Sequence, residues 1–428
     1  MGLRQKPMLR QSRDRIATPD GDLAVRYFSG PGAFQLAAAA WLALYERASC
    51  RNPFQHPDWQ RIWWESAGKG TNPEFFLIEY RDAPIGFAPL MRRRQGLFKV
   101  KYDDLFMLTA FEDPASERAV SGGLDFLWLP EFAHLLPYFT RFLCEKTSGW
   151  CYLRLNPVPE GSPTIAAFLE SAGALGWPVR TPWVLKNAVL NIEGDWDGYF
   201  AERSSKFRKN LRRCERQLAE SGPVEFREYR QPGEMAVGLA EMSIIEKDSW
   251  KESRGFSIDD HSLNSFYQQI AHFFGERHGI RLWVLKAAQR PIAYDLHIEV
   301  GGCIKTLKGS YVAEFADFSP GTLLTLKACQ QFFKEGIRQV DFLWGSLHYK
   351  EKWTNALETH CGIYLRRRGP GPLLVAGLHE LNRRLSRRRK AAARAASVPE
   401  TPAGEAPNPA PEPQNTELDP DRKVDLSS

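Results

Sequence analysis

One strand–turn–strand pattern occurs twice in the chain and constrains its fold more than any other feature. "FFLIEYRDAPIGFAPL" (residues 75–90) and "LWVLKAAQRPIAYDLHI" (residues 282–298) both contain an apolar strand, a polar turn ending in proline and a second, alternating strand. The two prolines, Pro84 and Pro291, lie 207 residues apart. Each hairpin follows a helix-like stretch that contains aromatic residues and ends in glycine. The pattern predicts a tandem duplication of one α/β unit.

The length of the chain agrees with two such units, because domains usually contain about 100 to 200 residues. The last residues are rich in proline, alanine and acidic side chains and poor in core-forming ones, which is typical of disorder. The expected segments are a flexible N-terminus (1–21), a first unit (22–180), a second unit (181–370), a basic helix or linker (371–395) and a disordered tail (396–428).

The start of the chain is polar and basic, and no apolar stretch approaches the roughly 18 residues that a membrane helix needs. We therefore expect a cytoplasmic protein without a transmembrane segment. The seven cysteines include no C-x-x-C pair, which argues against a disulfide framework or a zinc site. No other pattern indicates a metal, so none is predicted.

The positive charge is concentrated in two places. "RRLSRRRKAAAR" (residues 383–394) could bind nucleic acid or an anionic membrane surface, or dock a partner protein together with the tail, or be only a solvated helix end. Residues 204–222 predict an amphipathic helix whose apolar side is opposed by six basic residues. That basic side could bind a phosphorylated ligand or RNA, or simply face solvent.

Residues 297–312 predict a pair of strands, and a helix is predicted to begin shortly after them, at residues 319–322. The start of this helix has the properties of an anion-binding site. Ser319 is a typical N-cap residue, Pro320 suits the first helical turn, and Gly321 lets a ligand approach the backbone closely. The N–H groups and the dipole at a helix start favour phosphate. Gly336 is predicted to end this helix.

Four motifs occur in order along the second unit: "SSKFRKNLRR", "DSWKESRGFSI", "TLKGSYVAEFADFSPGTLL" and "GIRQVDFLWGSLHYKEKW". They resemble the acetyltransferase domain of the CelD/BcsL type, a branch of the GNAT superfamily, and the resemblance extends over residues 22–366. It implies tandem GNAT-like (acyl-CoA N-acyltransferase) units, with mixed sheets flanked by helices and related to FemAB-type transferases. It also implies transfer of an acyl group, such as acetyl, from a CoA thioester to an amine or hydroxyl. Members are often linked to exopolysaccharide or cellulose production.

The resemblance places the CoA pyrophosphate at the turn from Ser319 to Thr322. This turn lacks the fuller glycine-rich GNAT loop, so a longer acyl-CoA or a carrier-protein thioester remains open as the donor. The cofactor-binding residues that the resemblance implies are Lys308, Tyr311, Ser319, Gly321 and Thr322.

Three residues near the end of the match are the expected catalytic residues. Asp341 could orient or deprotonate the acceptor amine, or cap a loop. Tyr349 could donate a proton to the leaving thiolate, or only pack. Lys350 could bind a phosphate or carboxylate, or be a surface lysine.

Three further residues are expected to bind the substrate. Trp250 and Lys251 match a family motif and could form a wall of the acceptor pocket, although a tryptophan there could equally anchor the core. Asp295 and His297 alternate on one predicted strand. If they face inward they could form a general base, whereas a solvent-facing strand gives the same alternation.

Direct attack on a thioester needs mainly positioning, one base and donors for the oxyanion. We therefore expect transfer without a covalent enzyme intermediate, in a cleft between the two units, to a small-molecule or saccharide acceptor. One alternative is a FemAB-like transferase that takes its donor from aminoacyl-tRNA. Another is a non-catalytic scaffold of a polysaccharide-synthesis complex.

Overall fold

The described strands of this computed structural model form one mixed sheet flanked by helices, which is the α/β fold that we predicted. The structure describes residues 10–48, 52–110, 121–249, 261–275, 279–344, 347–354 and 356–396. The expected tail, apart from Ala396, lies outside these ranges.

The elements of the first half are β1 (Arg10–Ile16), β2 (Leu23–Ser29), α1 (Ala33–Arg47), α2 (Pro57–Ala67), β3 (Thr71–Tyr80), β4 (Ala83–Leu97), β5 (Val100–Met107), β6 (Leu127–Trp128), α3 (Leu136–Lys146), β7 (Tyr152–Pro159), α4 (Pro163–Leu175) and β8 (Val179–Arg180). The elements of the second half are β9 (Val184–Asn191), α5 (Trp196–Glu202), α6 (Ser205–Glu220), β10 (Val224–Tyr229), α7 (Pro232–Lys247), α8 (His261–Gly275), β11 (Ile280–Ala287), β12 (Arg290–Val300), β13 (Cys303–Tyr311), α9 (Pro320–Glu335), β14 (Gln339–Asp341), α10 (Leu347–Lys350), β15 (Ala356–Arg366) and α11 (Pro370–Ala396).

Strand β1 pairs with β2 along its whole length, from Arg10 opposite Ser29 to Ile16 opposite Leu23. The flexible N-terminus that we expected over residues 1–21 is therefore wrong for residues 10–16, because the edge of the sheet offers their backbone a hydrogen-bonding partner.

The two halves repeat the same hairpin in the same register. In β3–β4, Pro84 lies opposite Glu79, and in β11–β12, Pro291 lies opposite Lys286; each ladder shifts by one residue immediately beyond this pair. Both two-residue turns have positive φ angles, as tight hairpin turns require. The shared register confirms the predicted duplication.

The two repeats exchange their last strands. The sheet order is β1-β2-β3-β4-β5-β7-β15-β9-β14-β13-β12-β11-β10. Strand β9 begins the second half of the chain, but it follows β7 and α4 as β15 follows β14 and α10, so by element order it ends the first repeat. It pairs with β14 of the second repeat, whereas β15 pairs with β7 of the first. Strands β9 and β15 also pair with each other. The boundary in sequence at residue 180 is therefore not a boundary in the sheet.

A buried ion pair joins the strands next to this exchange. Asp104 on β5 is 0% exposed and its Oδ2 accepts hydrogen bonds from the Arg154 guanidinium at 3.0 and 2.6 Å. The other carboxylate oxygen accepts the backbone N–H of Tyr152 at 3.0 Å. The guanidinium lies 4.9 Å from the ring centroid of Tyr364 on β15. The pair therefore connects β5, β7 and β15.

The second half has a separate core on each face of its sheet. On β12, Tyr294 and Leu296 belong to the core that includes α7 and α8, whereas Ala293 belongs to the core that includes α6 and α9. Helix α6 buries Phe207, Leu211, Cys214 and Leu218 and so has the predicted amphipathic character. The Ser204 side chain caps it by accepting the Phe207 N–H at 3.2 Å. Among the described helices, none combines the length and apolar character that crossing a bilayer requires.

Substituting Asp104 by alanine should lower the free energy of unfolding by about 3–5 kcal/mol, because it leaves the Arg154 charge buried without its partner. Glu145→Ala is the control, since Glu145 pairs with Arg141 at an exposed site, and it should change stability by less than about 1 kcal/mol. Urea denaturation measures both values. Equal losses of stability in the two variants would contradict the prediction, because the buried pair would then contribute no more than the exposed one.

The strand exchange predicts that neither half folds alone. Residues 181–396 expressed alone lack β7, so β15 keeps β9 on one edge but has no partner on its other edge. This fragment should therefore be unfolded or aggregated. Co-expression with residues 1–180 should restore a stable complex. Size-exclusion chromatography and circular dichroism measure both outcomes; a monomeric 181–396 fragment with cooperative unfolding would contradict the prediction.

Candidate active site

A wedge opens in the sheet of the second half. Strands β13 and β14 pair in parallel from Cys303 opposite Gln339 to Lys305 opposite Asp341, where the ladder stops. Beyond that point β13 continues to Tyr311, whereas the chain after β14 turns to β9, and Phe342 donates its N–H to the Ala188 carbonyl at 3.0 Å. We call the gap between residues 306–311 and residues 342–344 the wedge.

Strand β13 contains a β-bulge along the wedge. Leu296 on β12 pairs with Lys308, but the next residue, His297, pairs with Thr306, so one residue of β13 is extra. Bulges redirect neighbouring groups and are frequent beside active sites. The corresponding β4–β5 ladder of the first half runs without a register shift.

Asp295 is a buried carboxylate on the α9 side of the sheet. It is 9% exposed and accepts a hydrogen bond from Thr325 Oγ1 of α9 at 3.2 Å. Gly309 lies directly opposite, and a Cβ atom there would be 2.2 Å from Asp295 Oδ1, so only glycine leaves room for the carboxylate. Burial raises the pKa of Asp295 to about 7, although Thr325 and Lys350 oppose the shift. Near neutral pH this group can accept a proton.

His297 shares this face but does not act with Asp295. Its ring packs edge-on against Phe332 at a centroid distance of 5.5 Å, and Nδ1 lies 3.2 Å from Thr306 Oγ1. Burial lowers the pKa of His297 to about 3, so the imidazole stays neutral at physiological pH. Of Asp295 and His297, only Asp295 therefore changes its protonation state near neutral pH.

Lys350 binds the turn that borders the wedge. Its Nζ donates hydrogen bonds to the carbonyl oxygens of Phe342 at 2.6 Å, Leu343 at 3.0 Å and Trp344 at 2.6 Å. Burial lowers its pKa to about 8, although Asp341 and Asp295 oppose the shift. All three N–H bonds of the ammonium ion have backbone partners, so a role in binding phosphate would require Lys350 to leave these carbonyls.

Tyr349 lies beside Asp295 and Lys350. The residue as a whole is 41% exposed, but its hydroxyl is in a buried environment that raises its pKa well above the ordinary value, and the Asp295 carboxylate adds to the shift. The phenol therefore keeps its proton at neutral pH and can act as a donor. Asp295, which is far from Tyr349 and Lys350 in sequence, thus comes close to them here.

Asp341 lies on the opposite face of the sheet from Asp295. One carboxylate oxygen accepts a hydrogen bond from Lys305 Nζ at 2.8 Å, and the other accepts the Leu343 N–H at 2.7 Å. Leu343 has a φ of 52°, an unusual conformation for leucine. Asp341 thereby stabilises the turn whose carbonyls bind Lys350. Its catalytic role stays a prediction.

The start of α9 differs from our expectation. Ser319 has left-handed dihedral angles (φ 50°, ψ 49°) and its side chain makes no capping hydrogen bond, so the predicted N-cap is wrong in its chemistry. Its carbonyl oxygen instead accepts the N–H groups of Thr322 at 3.0 Å and Leu323 at 3.1 Å. Pro320 has no N–H. The N–H of Gly321 is therefore the candidate donor for an anion.

The other residues predicted to bind the cofactor lie on opposite faces of the sheet. The Tyr311 ring lies 3.8 Å from the position of a Cβ on Gly321, so these two residues are together. Lys308 is on the opposite face, where its ammonium is 3.6 Å from a Glu246 carboxylate oxygen. Trp250 and Lys251 lie outside the described residues.

Two cavities lie away from the wedge. One, of about 470 Å³, is lined by Tyr199, Arg203 and Trp353 among others. The other, of about 320 Å³, lies beneath α11 and is lined by residues that include Tyr152 and Tyr364. Among the described side chains, no group of His, Cys, Asp and Glu is arranged to hold a metal ion.

Comparison with known proteins finds a family similarity in the second half of the chain. A family model described as an acetyltransferase (GNAT) domain matches residues 205–351. The crystal structure of FemX is 12% identical, has a TM-score of 0.53, and matches over 77% of this chain and 95% of its own. A tandem GNAT protein from the clavulanic acid biosynthesis pathway is 14% identical, has a TM-score of 0.41, and matches over 84% of this chain and 99% of its own. No curated protein matches the sequence.

The family match and the geometry concern the same part of the chain. Residues 205–351 include the bulged strand β13, Asp295 and the whole of α9. The likeness to FemX concerns the fold, over most of both chains. Residues 205–351 of this protein are therefore similar to an acetyltransferase (GNAT) domain.

Proposed function

We propose that the protein is an acyltransferase that moves an acyl group, such as acetyl, from a CoA thioester to an amine or hydroxyl. The observation that carries the proposal is the buried Asp295 carboxylate, whose pKa is raised to about 7, beside the wedge of the GNAT domain. The four ordered motifs support a finer assignment to the CelD/BcsL type, with a role in exopolysaccharide or cellulose production and a cytoplasmic location. The two halves act together: the second supplies the donor site and the first shapes the acceptor side.

The start of α9 fits the anionic end of a CoA molecule. It offers the Gly321 N–H and the positive end of the helix dipole. Helix α6, which carries the exposed basic residues Lys206, Lys209 and Arg212, packs against residues 313–318 leading into α9. Bound CoA supplies the activated acyl group; the protein supplies positive potential and a backbone donor.

The side chains beside the wedge can accept and donate the protons that move during acyl transfer. Asp295 accepts the proton that the acceptor nitrogen or oxygen loses as it bonds to the acyl carbon. The carbon–sulfur bond breaks, and the Tyr349 hydroxyl donates the proton that the departing thiolate takes up. Lys350 positions the turn at residues 342–344, so we assign it and Asp341 to positioning.

One structural feature also favours aminoacyl-tRNA as the donor. The exposed basic side of α6 would also suit the phosphates of an aminoacyl-tRNA, the donor of the FemAB-like alternative. This rival uses the same fold, so donor binding separates the two. A scaffold without catalysis would bind neither donor.

Asp295→Asn should lower the rate of acyl transfer by about 10²-fold or more, because general bases contribute on that scale. The wild-type rate should rise with pH through about 7 and then level off, since Asp295 acts as a base only when ionised. Release of free thiol from acetyl-CoA in the presence of a panel of amines measures the rate. Asp317→Asn, at an exposed carboxylate before α9, is the matched control and should keep the wild-type profile.

Stability gives an independent test of the same carboxylate. The folded protein holds a proton on Asp295 up to about pH 7, whereas the unfolded chain releases it near its ordinary pKa of 3.8. The Asp295 contribution to stability is therefore present at low pH and is lost as pH rises through 7. Asp295→Asn should remove this loss in urea denaturation at pH 5 and pH 8. An unchanged pH dependence would contradict the raised pKa, whatever the activity.

Gly321→Trp should weaken binding of acetyl-CoA, longer acyl-CoAs and free CoA by about tenfold or more in calorimetric titration, because the indole would occupy the anion seat. Gly233→Trp is a matched control, since α7 begins with the same Pro-Gly pair and Gly233 has open space around it. The control should bind CoA like the wild type. If the wild type binds no CoA compound, the proposal fails, and tRNA donors, carrier-protein donors or a scaffold role take its place.

A further inference from the structure

Helix α11 exposes more large apolar surface than a solvated helix needs. Leu373, Leu374 and Leu381 are 62%, 56% and 48% exposed. The opposite side of the helix packs on the body of the protein, where Val375 is 2% exposed and His379 Nε2 lies 2.7 Å from the Tyr102 hydroxyl. The helix is thus fixed in place with its leucines facing outward.

The same helix carries the net charge of the whole protein. Residues 370–396 contain seven basic side chains and one acidic side chain, a net charge of +6, and the full chain also has a net charge of +6. The remainder of the chain is therefore electrically balanced. Of the basic residues, Arg384, Arg387, Arg388 and Arg389 are exposed.

Leucines and arginines share one outward side of α11. Leu373, Gly377, Leu381, Arg384 and Arg388 follow one another at spacings of three or four residues, which places them along a single side of a helix. All five are exposed. Apolar residues dominate the first half of this stripe and arginines the second.

We propose that α11 binds the surface of an anionic membrane. The leucines would enter the boundary between head groups and acyl chains, and the arginines would contact anionic head groups, as in helices that lie in the membrane interface. Nucleic acid would account for the arginines but leaves the exposed leucines without a role. A charge-balanced protein partner would account for the leucines but not for the concentration of charge.

Flotation of the full-length protein with lipid vesicles tests the proposal. The protein should float with phosphatidylcholine vesicles that contain about one third phosphatidylglycerol, and not with phosphatidylcholine alone. Binding should weaken as salt rises from about 0.1 to 1 M, because salt screens the arginines.

Two pairs of variants separate the apolar and the charged contributions. Leu373→Ser/Leu381→Ser should lower the vesicle partition coefficient by about tenfold or more. Its matched control is Val237→Ser/Ile244→Ser, which replaces two equally exposed apolar residues on α7 and should bind like the wild type.

The charge variant Arg384→Glu/Arg388→Glu should abolish the preference for anionic vesicles. Lys206→Glu/Arg212→Glu on α6 is its control and should keep that preference. The proposal is overturned if the wild type does not float with anionic vesicles, or if the leucine variant and its control lose binding equally. It is also overturned if the protein binds short DNA or RNA instead and only the charge variant changes that binding. Thermal unfolding confirms that each variant is folded.

Discussion

The reciprocal pairing of β9 and β15 is the constraint on which the rest of the structure depends. Each repeat contributes a run of strands that ends at β7 or β14, and the next strand in the sheet comes from the other repeat. Without the exchange, two central edges would be open to solvent or to other chains. The exchange also shapes the candidate active site, because the chain at residues 342–344 leaves β14 by bonding to β9, and this departure opens the wedge.

The duplication supplies the same scaffold twice, but the two copies differ at the residues of the candidate site. Aligning Pro84 with Pro291 places Ala88 where Asp295 stands. Ala88 is 0% exposed and packs in an apolar core. The first copy therefore has no carboxylate at this position, and its β4–β5 ladder has no bulge. At the candidate site the two copies therefore differ by a carboxylate and by one extra residue in a strand.

Local patterns predicted the local elements. The alternation and the prolines of both hairpins, and the spacing of Phe207, Leu211 and Leu218 in α6, are properties of short stretches of sequence. The strand exchange could not be predicted in this way, because it joins distant strands without a local signal. The αL conformation of Ser319 and the carbonyl partners of Lys350 depend likewise on tertiary contacts, so the capping role predicted for Ser319 was wrong.

The wedge places two buried groups of opposite charge close to their titration points. Burial raises the pKa of Asp295 to about 7 and lowers that of Lys350 to about 8, so burial disfavours the charged form of each. Three backbone carbonyls stabilise the ammonium ion, and Thr325 stabilises the carboxylate. An apolar pair would pack here without these costs. A carboxylate that changes protonation near neutral pH is what a general base requires, so the cost in stability at Asp295 agrees with the catalytic role that we propose for it.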